Sequence, residues 1–303
     1  MNSQNSIGLL CMLLASIFFS LMNACIKILS LHLSITQCML FRSILMSIFI
    51  LSLLLLKPIQ KTHTKGGYGP LLIRSVFGAG SMLLFFYNIS TISLGTASTF
   101  AQTVPLYAVF FSYFFLKESL HPIVFIATFI GFAGIILICN PDSQIPLPNI
   151  IIGLLSGITA AMALVSVRAC RQFFDDRVII LSFGIIATLM SLGGIILHRA
   201  LSFDFLAWNE IPNNMWVYII AMGITGTLGQ YFMTKAFMLA PAGLVSPLDY
   251  TKIIFSLLLG IILGDPFPNF PTLFGIFLII LSGLLIATPV FLNDIRAKRK
   301  RND

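Results

Sequence analysis

The sequence predicts an all-α integral membrane protein with ten transmembrane helices arranged as two inverted five-helix repeats. Three observations support this prediction. Of the 303 residues, 58% are hydrophobic and only 9% are charged, and the mean hydropathy is +1.00. Soluble domains contain about 25% charged residues. The apolar residues form ten runs long enough to cross a bilayer, and the second half of the chain repeats features of the first half.

Each predicted span is an apolar run bounded by glycine, proline or charged residues. A transmembrane helix needs about 20 such residues to cross a hydrocarbon core of roughly 30 Å. The first run starts at Ile7 with no basic segment before it and no cleavage pattern after it, which indicates a span and not a signal peptide. In chain order the predicted spans are 7–29, 37–56, 70–90, 95–116, 122–139, 149–168, 178–198, 214–235, 242–263 and 271–292.

The positive residues give the predicted topology. The net charge is +8, but Lys and Arg lie in short connectors, so the basic balance indicates membrane orientation and not nucleic-acid binding. With a cytoplasmic N-terminus, the outer connectors hold Arg199, with Arg42 and Lys27 at span ends where their side chains are expected to snorkel to the interface. Thirteen positive residues then fall on the inner side: Lys57, Lys61, Lys65, Arg74, Lys117, Arg168, Arg171, Arg177, Arg296, Lys298, Arg299, Lys300 and Arg301. We therefore expect a bacterial-type inner (plasma) membrane protein with both termini in the cytoplasm.

Two stretches of the chain resemble each other. LGTASTFAQTVPLYAVFFSYFFLKESLHP occupies residues 94–122, and LAPAGLVSPLDYTKIIFSLLLGIILGDPFP occupies 239–268. Both begin with small residues, place polar groups and proline early, and end on an acid, Glu118 or Asp265, close to a proline. This similarity predicts that the fourth and ninth spans are equivalent.

The repeat divides one membrane domain, residues 1–303, into two units. The first unit is 7–140 and the second is 149–292, followed by a basic tail at 293–303 that is interpreted as a topology anchor or as a lipid- or partner-binding patch. Because each unit has an odd number of spans, the second crosses the membrane upside down. Inverted repeats of this kind place a substrate site near the midplane, between the units.

Charged residues inside the ninth span are the first candidate site. Asp249 and Lys252 lie about seven to ten residues inside it, and their i, i+3 spacing puts them on one face of a helix, where they can form an ion pair. Tyr250 can add a hydrogen bond or an aromatic wall. Charges in the hydrocarbon mark function by default. The alternative is a buried pair that only fixes helix packing.

Further polar residues are predicted to surround this pair. In the fourth span, Gln102 and Tyr107 are candidate ligand contacts, and Pro105 and Pro247 are candidate helix interruptions that line the cavity. Alternatively, each proline is an ordinary packing kink. The remaining substrate-binding candidates, each of which could instead be an interhelical hydrogen bond, are Asn23, Tyr87, Asn88 and Gln230.

Enzyme and metal signatures are missing from the sequence. It contains no G-x-S-x-G, H-E-x-x-H or Walker A pattern, and its four histidines lie in connectors or at span edges. The five cysteines show no CxxC spacing and are expected to be small buried hydrophobes. The sequence therefore predicts no enzyme activity, no cofactor and no metal.

Several segments resemble the EamA family of the drug/metabolite transporter superfamily. They are KAFMLAPAGLVSPLDYTKIIFSLLLGIILGD (235–265), FRSIL (41–45), and Arg74 with FYNISTISLGTASTFAQTVPLY. The resemblance implies ten spans in two inverted repeats, a cavity lined by spans 1, 3, 4, 6, 8 and 9, and secondary transport by alternating access. The segment at 235–250 is also similar to carriers of S-adenosylmethionine and riboflavin. Asp265 stands where the family often has glutamate.

The resulting hypothesis is a secondary transporter of a small organic metabolite. An Asp–Lys pair suits a zwitterion such as an amino acid or S-adenosylmethionine, while riboflavin could stack on Tyr87 or Tyr107. The alternative from another class is a non-transporting membrane enzyme or scaffold. The expected partners are a small-molecule substrate and membrane lipids, with no nucleic acid, and the protein is expected to be a monomer or a homodimer.

Overall fold

The computed structural model describes residues 3–29, 31–59, 66–91, 100–117, 122–139, 146–201, 206–262, 270–271 and 273–285. Within these ranges the chain is helical with short connectors, and no β-strand occurs. A bilayer core offers no water to backbone N–H and C=O groups, so a spanning chain bonds them within its own helices. The apolar composition therefore leads directly to a helical fold.

The helices follow the predicted spans in number and order. The ninth span consists of a short helix α9 (Ala242–Val245), a 3-10 segment (Ser246–Tyr250) and α10 (Thr251–Ile262). The tenth span contains α11 (Leu273–Leu285). The first eight are α1 (Ser3–Leu29), α2 (Ile35–Leu56), α3 (Tyr68–Thr91), α4 (Val104–Leu116), α5 (Pro122–Cys139), α6 (Leu147–Cys170), α7 (Asp176–Leu201) and α8 (Trp216–Leu239).

Not every helix is equally apolar. By length and composition, five described helices are able to cross a membrane on their own, and they are α1, α2, α3, α6 and α7. α4, α5 and α11 are apolar but have fewer than 18 qualifying residues in the described ranges. α8 carries Thr227, Gln230 and Lys235, and the ninth span is broken.

Helix packing repeats with a period of five spans. α1 packs along α8, and α3 packs along α6. The contact between α4 and α6 corresponds to the contact between α10 and α1. Likewise, the contact between α3 and α7 corresponds to the contact between α8 and α2. Exchanging each span with the one five places away converts every one of these pairs into its counterpart. The fold is therefore two inverted five-helix repeats.

Contacts between helix ends define two sides of the bundle. We call the side where α1 begins at Ser3 the terminal side and the opposite side the far side. On the terminal side, Arg177 Nη1 donates to the Lys57 carbonyl oxygen at 2.6 Å, which joins the start of α7 to the end of α2. On the far side, Gln37 Nε2 donates to the Asn209 carbonyl oxygen at 2.8 Å, which joins α2 to the connector before α8.

Arg177 also holds the α6–α7 connector. Its Nε and Nη2 donate to the two carboxylate oxygens of Asp175 at 2.9 and 3.2 Å. Burial by itself would raise the pKa of Asp175, but the hydrogen bonds from Arg177 and Asp176 and the charge of Arg177 outweigh it and lower the pKa to about 2. Because the pKa is depressed, this stabilisation is complete above the ordinary carboxyl value and is lost as the pH falls toward 2.

Some sequence predictions lie outside the described residues. These are the closing acids Glu118 and Asp265 and the basic tail 293–303. The orientation of the termini and the repeat limits 7–140 and 149–292 stay predictions.

The contact between α5 and α11 gives a stability prediction. A Cβ on Gly134 would lie 2.6 Å from the Gly275 carbonyl oxygen, a backbone atom that cannot rotate away, whereas a Cβ on Gly193 would meet no heavy atom within 4 Å. We expect Gly134→Ala to cost about 1–3 kcal/mol through overpacking. Gly193→Ala should be neutral or gain up to about 1 kcal/mol from helix propensity. Melting temperatures in detergent test this, and equal shifts in the two variants would contradict it.

Candidate substrate cavity

A cavity of about 280 Å³ lies between the two repeats. It is lined by α1, α2, α3 and the start of the fourth span from one repeat, and by α6, α7, α8 and the ninth span from the other. Ligand pockets have volumes of about 300–1,000 Å³, so this one suits a small molecule. The polar and charged lining residues are Asn23, Arg42, Arg74, Ser81, Gln102, Ser156, Gln230, Asp249 and Lys252.

The break in the ninth span presents its charges to this cavity. Pro247 lacks a backbone N–H, and the chain forms a 3-10 segment around it before α10 begins. Hydroxyl groups bond carbonyls at both ends of the break: Ser246 Oγ donates to Ala242 O at 2.7 Å, and Thr251 Oγ1 donates to Leu248 O at 2.7 Å. The interruption therefore leaves few backbone groups without partners while it turns Asp249 toward the cavity.

Asp249 and Lys252 form the ion pair that their spacing predicts. Lys252 Nζ lies 3.0 Å from Asp249 Oδ2, and both residues line the cavity. The other carboxylate oxygen, Asp249 Oδ1, is buried and has no hydrogen-bond partner. Ser20 of α1 donates to the Lys252 carbonyl oxygen at 2.9 Å and fixes the start of α10. Asp249 Oδ1 is thus a buried acceptor without a partner among the described residues.

The fourth span is interrupted at the equivalent place. Gln102 and Thr103 form a turn, and α4 begins at Val104 with Pro105 in its first turn, where a helix needs no N–H donor. Thr103 Oγ1 donates to the Phe100 carbonyl oxygen at 2.6 Å. Gln102 lines the cavity, and its Oε1 is buried without a partner. The two breaks place Gln102 and Asp249 in the same chamber.

Two arginines that the sequence analysis placed elsewhere also line the cavity. Arg42, expected to snorkel, is 7% exposed and donates from Nη1 to the Met82 sulfur at 2.9 Å. Arg74, counted as a connector charge, lies inside α3, is 2% exposed, and has its guanidinium carbon 4.3 Å from the Phe183 ring centroid. Both predictions failed because helix rotation, which the sequence does not reveal, turns these side chains inward.

Glycines make room for the two guanidinium groups. A Cβ on Gly78 would collide with Arg74 Nη1, and a Cβ on Gly226 would lie 3.1 Å from Arg42 Nε. Both glycines belong to the small-residue clusters visible in the sequence, where they suggest only close helix packing. Gly78 follows Arg74 by one turn on the same helix, whereas Gly226 of α8 faces Arg42 of α2. The i, i+4 arginine–glycine spacing in α3 is therefore the one signal of the two that the sequence itself contains.

The predicted site residues divide into two groups. Asn23 and Gln230 line the cavity together with Gln102, Asp249 and Lys252. Asn23 is exposed, while Gln230 donates from Nε2 to Thr234 Oγ1 at 3.2 Å. The structure therefore brings five of the predicted ligand contacts into one chamber, drawn from α1, α8 and the two interrupted spans.

The other predicted residues lie outside the lining. Tyr250 is fully buried, and its hydroxyl lies 3.5 Å from the Thr128 carbonyl oxygen of α5, because one residue after Asp249 the chain faces the opposite direction. Asn88 exchanges hydrogen bonds with Asn149 of α6, at 3.0 and 3.1 Å. Tyr107 stacks on Phe111. Outside the cavity lining are also Tyr87, Pro105 and Pro247.

The cavity is closed on the terminal side. Fully buried apolar residues fill the space there, namely Leu9, Met12, Phe237, Ala240 and Val245. α1 and the end of α8 approach so closely that a Cβ on Gly8 would lie 2.7 Å from the Ala240 Cβ. Arg168 Nη1 donates to the Met238 carbonyl oxygen at 2.9 Å and joins α6 to α8. In contrast, the lining residue Asn23 is exposed, so the cavity opens toward the far side.

Comparison with known proteins agrees with this architecture. The model of the EamA-like transporter family matches residues 6–140 and 147–288. The chain belongs to the EamA-like transporter family. It is 39% identical over 295 residues to a protein of Helicobacter pylori (strain J99) described as an uncharacterized transporter, covering 95% of this chain and 97% of the relative. The chain is therefore a member of a family of multi-pass membrane transporters.

Other relatives have named substrates. The chain is 30% identical to the pseudopaline exporter CntI of Pseudomonas aeruginosa (strain PAO1), over 92% of this chain and 95% of the relative. It is 24% identical to the S-adenosylmethionine uptake transporter of Rickettsia conorii, over 68% and 69% of the two chains. A solved crystal structure superposes with a TM-score of 0.77 over 94% of this chain and 98% of the other, at 16% identity, which shows a shared fold.

The unpaired amide of Gln102 predicts an unusual stability effect. Gln102→Leu removes a buried acceptor that has no partner, and such a replacement is nearly neutral or stabilising. Asn88→Leu leaves the Asn149 amide without the bond it now donates to Asn88 Oδ1 and should cost about 1–3 kcal/mol. Thermal unfolding in detergent distinguishes the two. A larger loss in Gln102→Leu than in Asn88→Leu would show that Gln102 is a structural residue.

Proposed function

We propose that this protein is a secondary transporter that carries a small amino-acid-like metabolite across the bacterial inner membrane by alternating access. The main support is the central cavity between the inverted repeats, which combines charges of both signs with buried polar atoms that have no partner in the described chain. Charged groups inside a membrane are costly and mark substrate or ion pathways.

The ion pair fits a zwitterion. An ammonium group of the substrate binds near Asp249, whose Oδ1 has no partner in the described chain, and a carboxylate binds near Lys252. Hydrogen bonds to charged groups are shorter and stronger than neutral ones, so this exchange is favourable for a ligand that carries both charges. The relatives named for pseudopaline and S-adenosylmethionine support a small organic substrate.

S-adenosylmethionine is the second candidate, because its amino-acid end suits Asp249 and Lys252 and a relative is named for its uptake. Riboflavin has weaker support. Tyr87 and Tyr107, the predicted stacking partners, lie outside the cavity lining, and riboflavin offers no charge to pair with the lining cations.

The proposed cycle needs the terminal side to open. With cytoplasmic termini, as the connector charges predict, the terminal side faces the cytoplasm and the present cavity faces outward. Alternating access then separates α1 from the end of α8 near Gly8 and Ala240, while the far side closes around the ligand.

Flux measurements test the transport proposal. Proteoliposomes containing the wild-type protein should accumulate labelled amino acids or S-adenosylmethionine above protein-free liposomes. Asp249→Asn and Lys252→Met should each lose at least about tenfold of the rate, because each leaves an unpaired buried charge or removes a ligand contact. Arg171→Gln, which changes an exposed residue on the terminal side, is the matched control. Thermal stabilisation by a ligand without flux would favour a non-transporting role.

A wedge at Gly8 tests alternating access. Gly8→Val should oppose closure of the terminal side by about 1–3 kcal/mol, enough to change the ratio of conformations by about fivefold or more. In a background without the native cysteines, Asn23→Cys should then react more slowly with a membrane-impermeant thiol reagent. Gly193→Val, at a position with open space, should leave the rate unchanged. Unaltered labelling in Gly8→Val would contradict the assignment of this contact as a gate.

A further inference from the structure

We propose that the transported molecule carries at least two acidic groups in addition to its amino group, and that Arg42 and Arg74 bind them. This inference rests on the proposed transport function and narrows its substrate class. The ligand is then a compact acidic amino compound with net negative charge, such as an amino dicarboxylic or tricarboxylic acid or an amino acid with a phosphate.

The charge of the cavity is the first argument. Among the described residues, its lining holds three cations, Arg42, Arg74 and Lys252, and one carboxylate, Asp249. Lys252 already pairs with Asp249 at 3.0 Å. Among the residues that the structure describes, no carboxylate lies within ion-pair distance of either arginine. A simple zwitterion would therefore leave two positive charges of the lining without counter-charges.

The partners that the arginines do have are weak. Arg42 donates to the Met82 sulfur, and its guanidinium carbon lies 5.9 Å from the Phe19 ring centroid. Arg74 stacks on Phe183. Thioether sulfur is a weak acceptor, and cation–π contacts give a guanidinium group only modest stabilisation. Burying a guanidinium group without an anion costs more than this, which argues for an anionic ligand in the transport cycle.

The unpaired atoms of the lining residues include both hydrogen-bond donors and hydrogen-bond acceptors. Arg42 Nε and Arg74 Nε are buried donors without acceptors, and Gln102 Oε1 and Asp249 Oδ1 are buried acceptors without donors. Planar guanidinium groups bind carboxylate and phosphate through two parallel hydrogen bonds. All four atoms are buried in this conformation, so a ligand with acidic groups near the arginines and an ammonium group near Asp249 reaches them only if the surrounding side chains move.

Phe19 lies beside two of the cations. Its ring centroid is 5.9 Å from the Arg42 guanidinium carbon and 5.8 Å from Lys252 Nζ. The acidic groups of the ligand therefore bind next to an aromatic wall, and a cavity of about 280 Å³ limits the size of the skeleton that carries them.

A purely structural role for the arginines makes a different prediction. If the guanidinium groups only packed on aromatic rings, they would not need to face the chamber, and replacing them by neutral residues would preserve ligand selectivity. Ligand selectivity thus separates the two explanations better than stability does.

The first experiment uses the wild-type protein in detergent and a panel matched in shape. The probes are glutamate with glutamine, aspartate with asparagine, iminodiacetate, O-phosphoserine, S-adenosylmethionine and putrescine. We expect acidic members to raise the melting temperature at concentrations at least about tenfold lower than their amides, because each adds a charge-assisted pair with an arginine. Comparing the concentrations of O-phosphoserine and glutamate that raise the melting temperature shows whether the site prefers a phosphate or a carboxylate group. Equal protection by amides, or none by any acidic probe, overturns the inference.

The second experiment uses variants with the best acidic probe of the panel. Arg42→Gln and Arg74→Gln should each weaken its binding at least about tenfold and reduce the preference for acid over amide. Arg42→Lys and Arg74→Lys should restore part of the preference, because they keep the charge without the planar fork. Arg171→Gln is the control. Melting temperatures without ligand identify a variant that has failed to fold. If a glutamine variant fails to fold, the lysine variants and the wild-type panel test whether the arginines bind the acidic groups.

The two proposals fail in different ways. Counterflow of a neutral amino acid or S-adenosylmethionine with normal rates in Arg42→Gln and Arg74→Gln would keep transport and overturn the acidic substrate. Acid-selective binding without flux in proteoliposomes would keep the acidic ligand and overturn the transport proposal.

Discussion

The hydrocarbon core provides no hydrogen-bond partners, so every polar group in the ten spans needs one from the chain itself or from a ligand. This constraint explains the helical fold and the many hydroxyls that donate to a carbonyl one turn earlier, such as Thr128 to Val124 and Ser191 to Ala187. It also explains why the fourth and ninth spans break at prolines beside hydroxyl residues. Seven buried side-chain atoms of the described residues are exceptions. Those of Arg42, Arg74, Gln102 and Asp249 belong to residues that line one cavity, and the hydroxyls of Ser16, Ser43 and Ser47 lie outside its lining.

The two repeats share a backbone plan but carry different charges. Two residues after each equivalent proline, the first repeat has Tyr107 and the second has Asp249. The unpaired arginines belong to the second and third spans, whereas the Asp249–Lys252 pair belongs to the ninth. A ligand with an ammonium group and separate acidic groups would therefore bridge the repeats. Such bridging links occupancy of the site to the relative position of the two halves, which is the movement that alternating access requires.

Local features of the sequence predicted the spans and the ion pair, because apolar length and i, i+3 spacing do not depend on the rest of the chain. Contacts set by helix rotation were not predictable in this way. Arg42 and Arg74 lie near span ends in the sequence, where cations commonly snorkel. Tyr250 faces α5 because the 3-10 segment sets its direction, and Asn88 bonds a residue 61 positions away. Likewise, a Cβ on Gly153 would collide with the Phe100 ring and one on Gly157 with Thr103, contacts that span more than 50 residues of sequence.

The charge imbalance has a consequence for an empty carrier. Even with the far side open, Arg42 and Arg74 are only 7% and 2% exposed. Closing the far side without a ligand would remove the remaining water from two cations that lack counter-charges, and a charge inside a membrane costs at least about 2.5–3.5 kcal/mol. An acidic ligand removes this penalty by pairing with both guanidinium groups. Closure then becomes favourable chiefly in the loaded protein, since a ligand shifts a conformational equilibrium only by its differential affinity for the two states. Because the arginines stay unpaired inside the protein, substrate binding can control the conformational change.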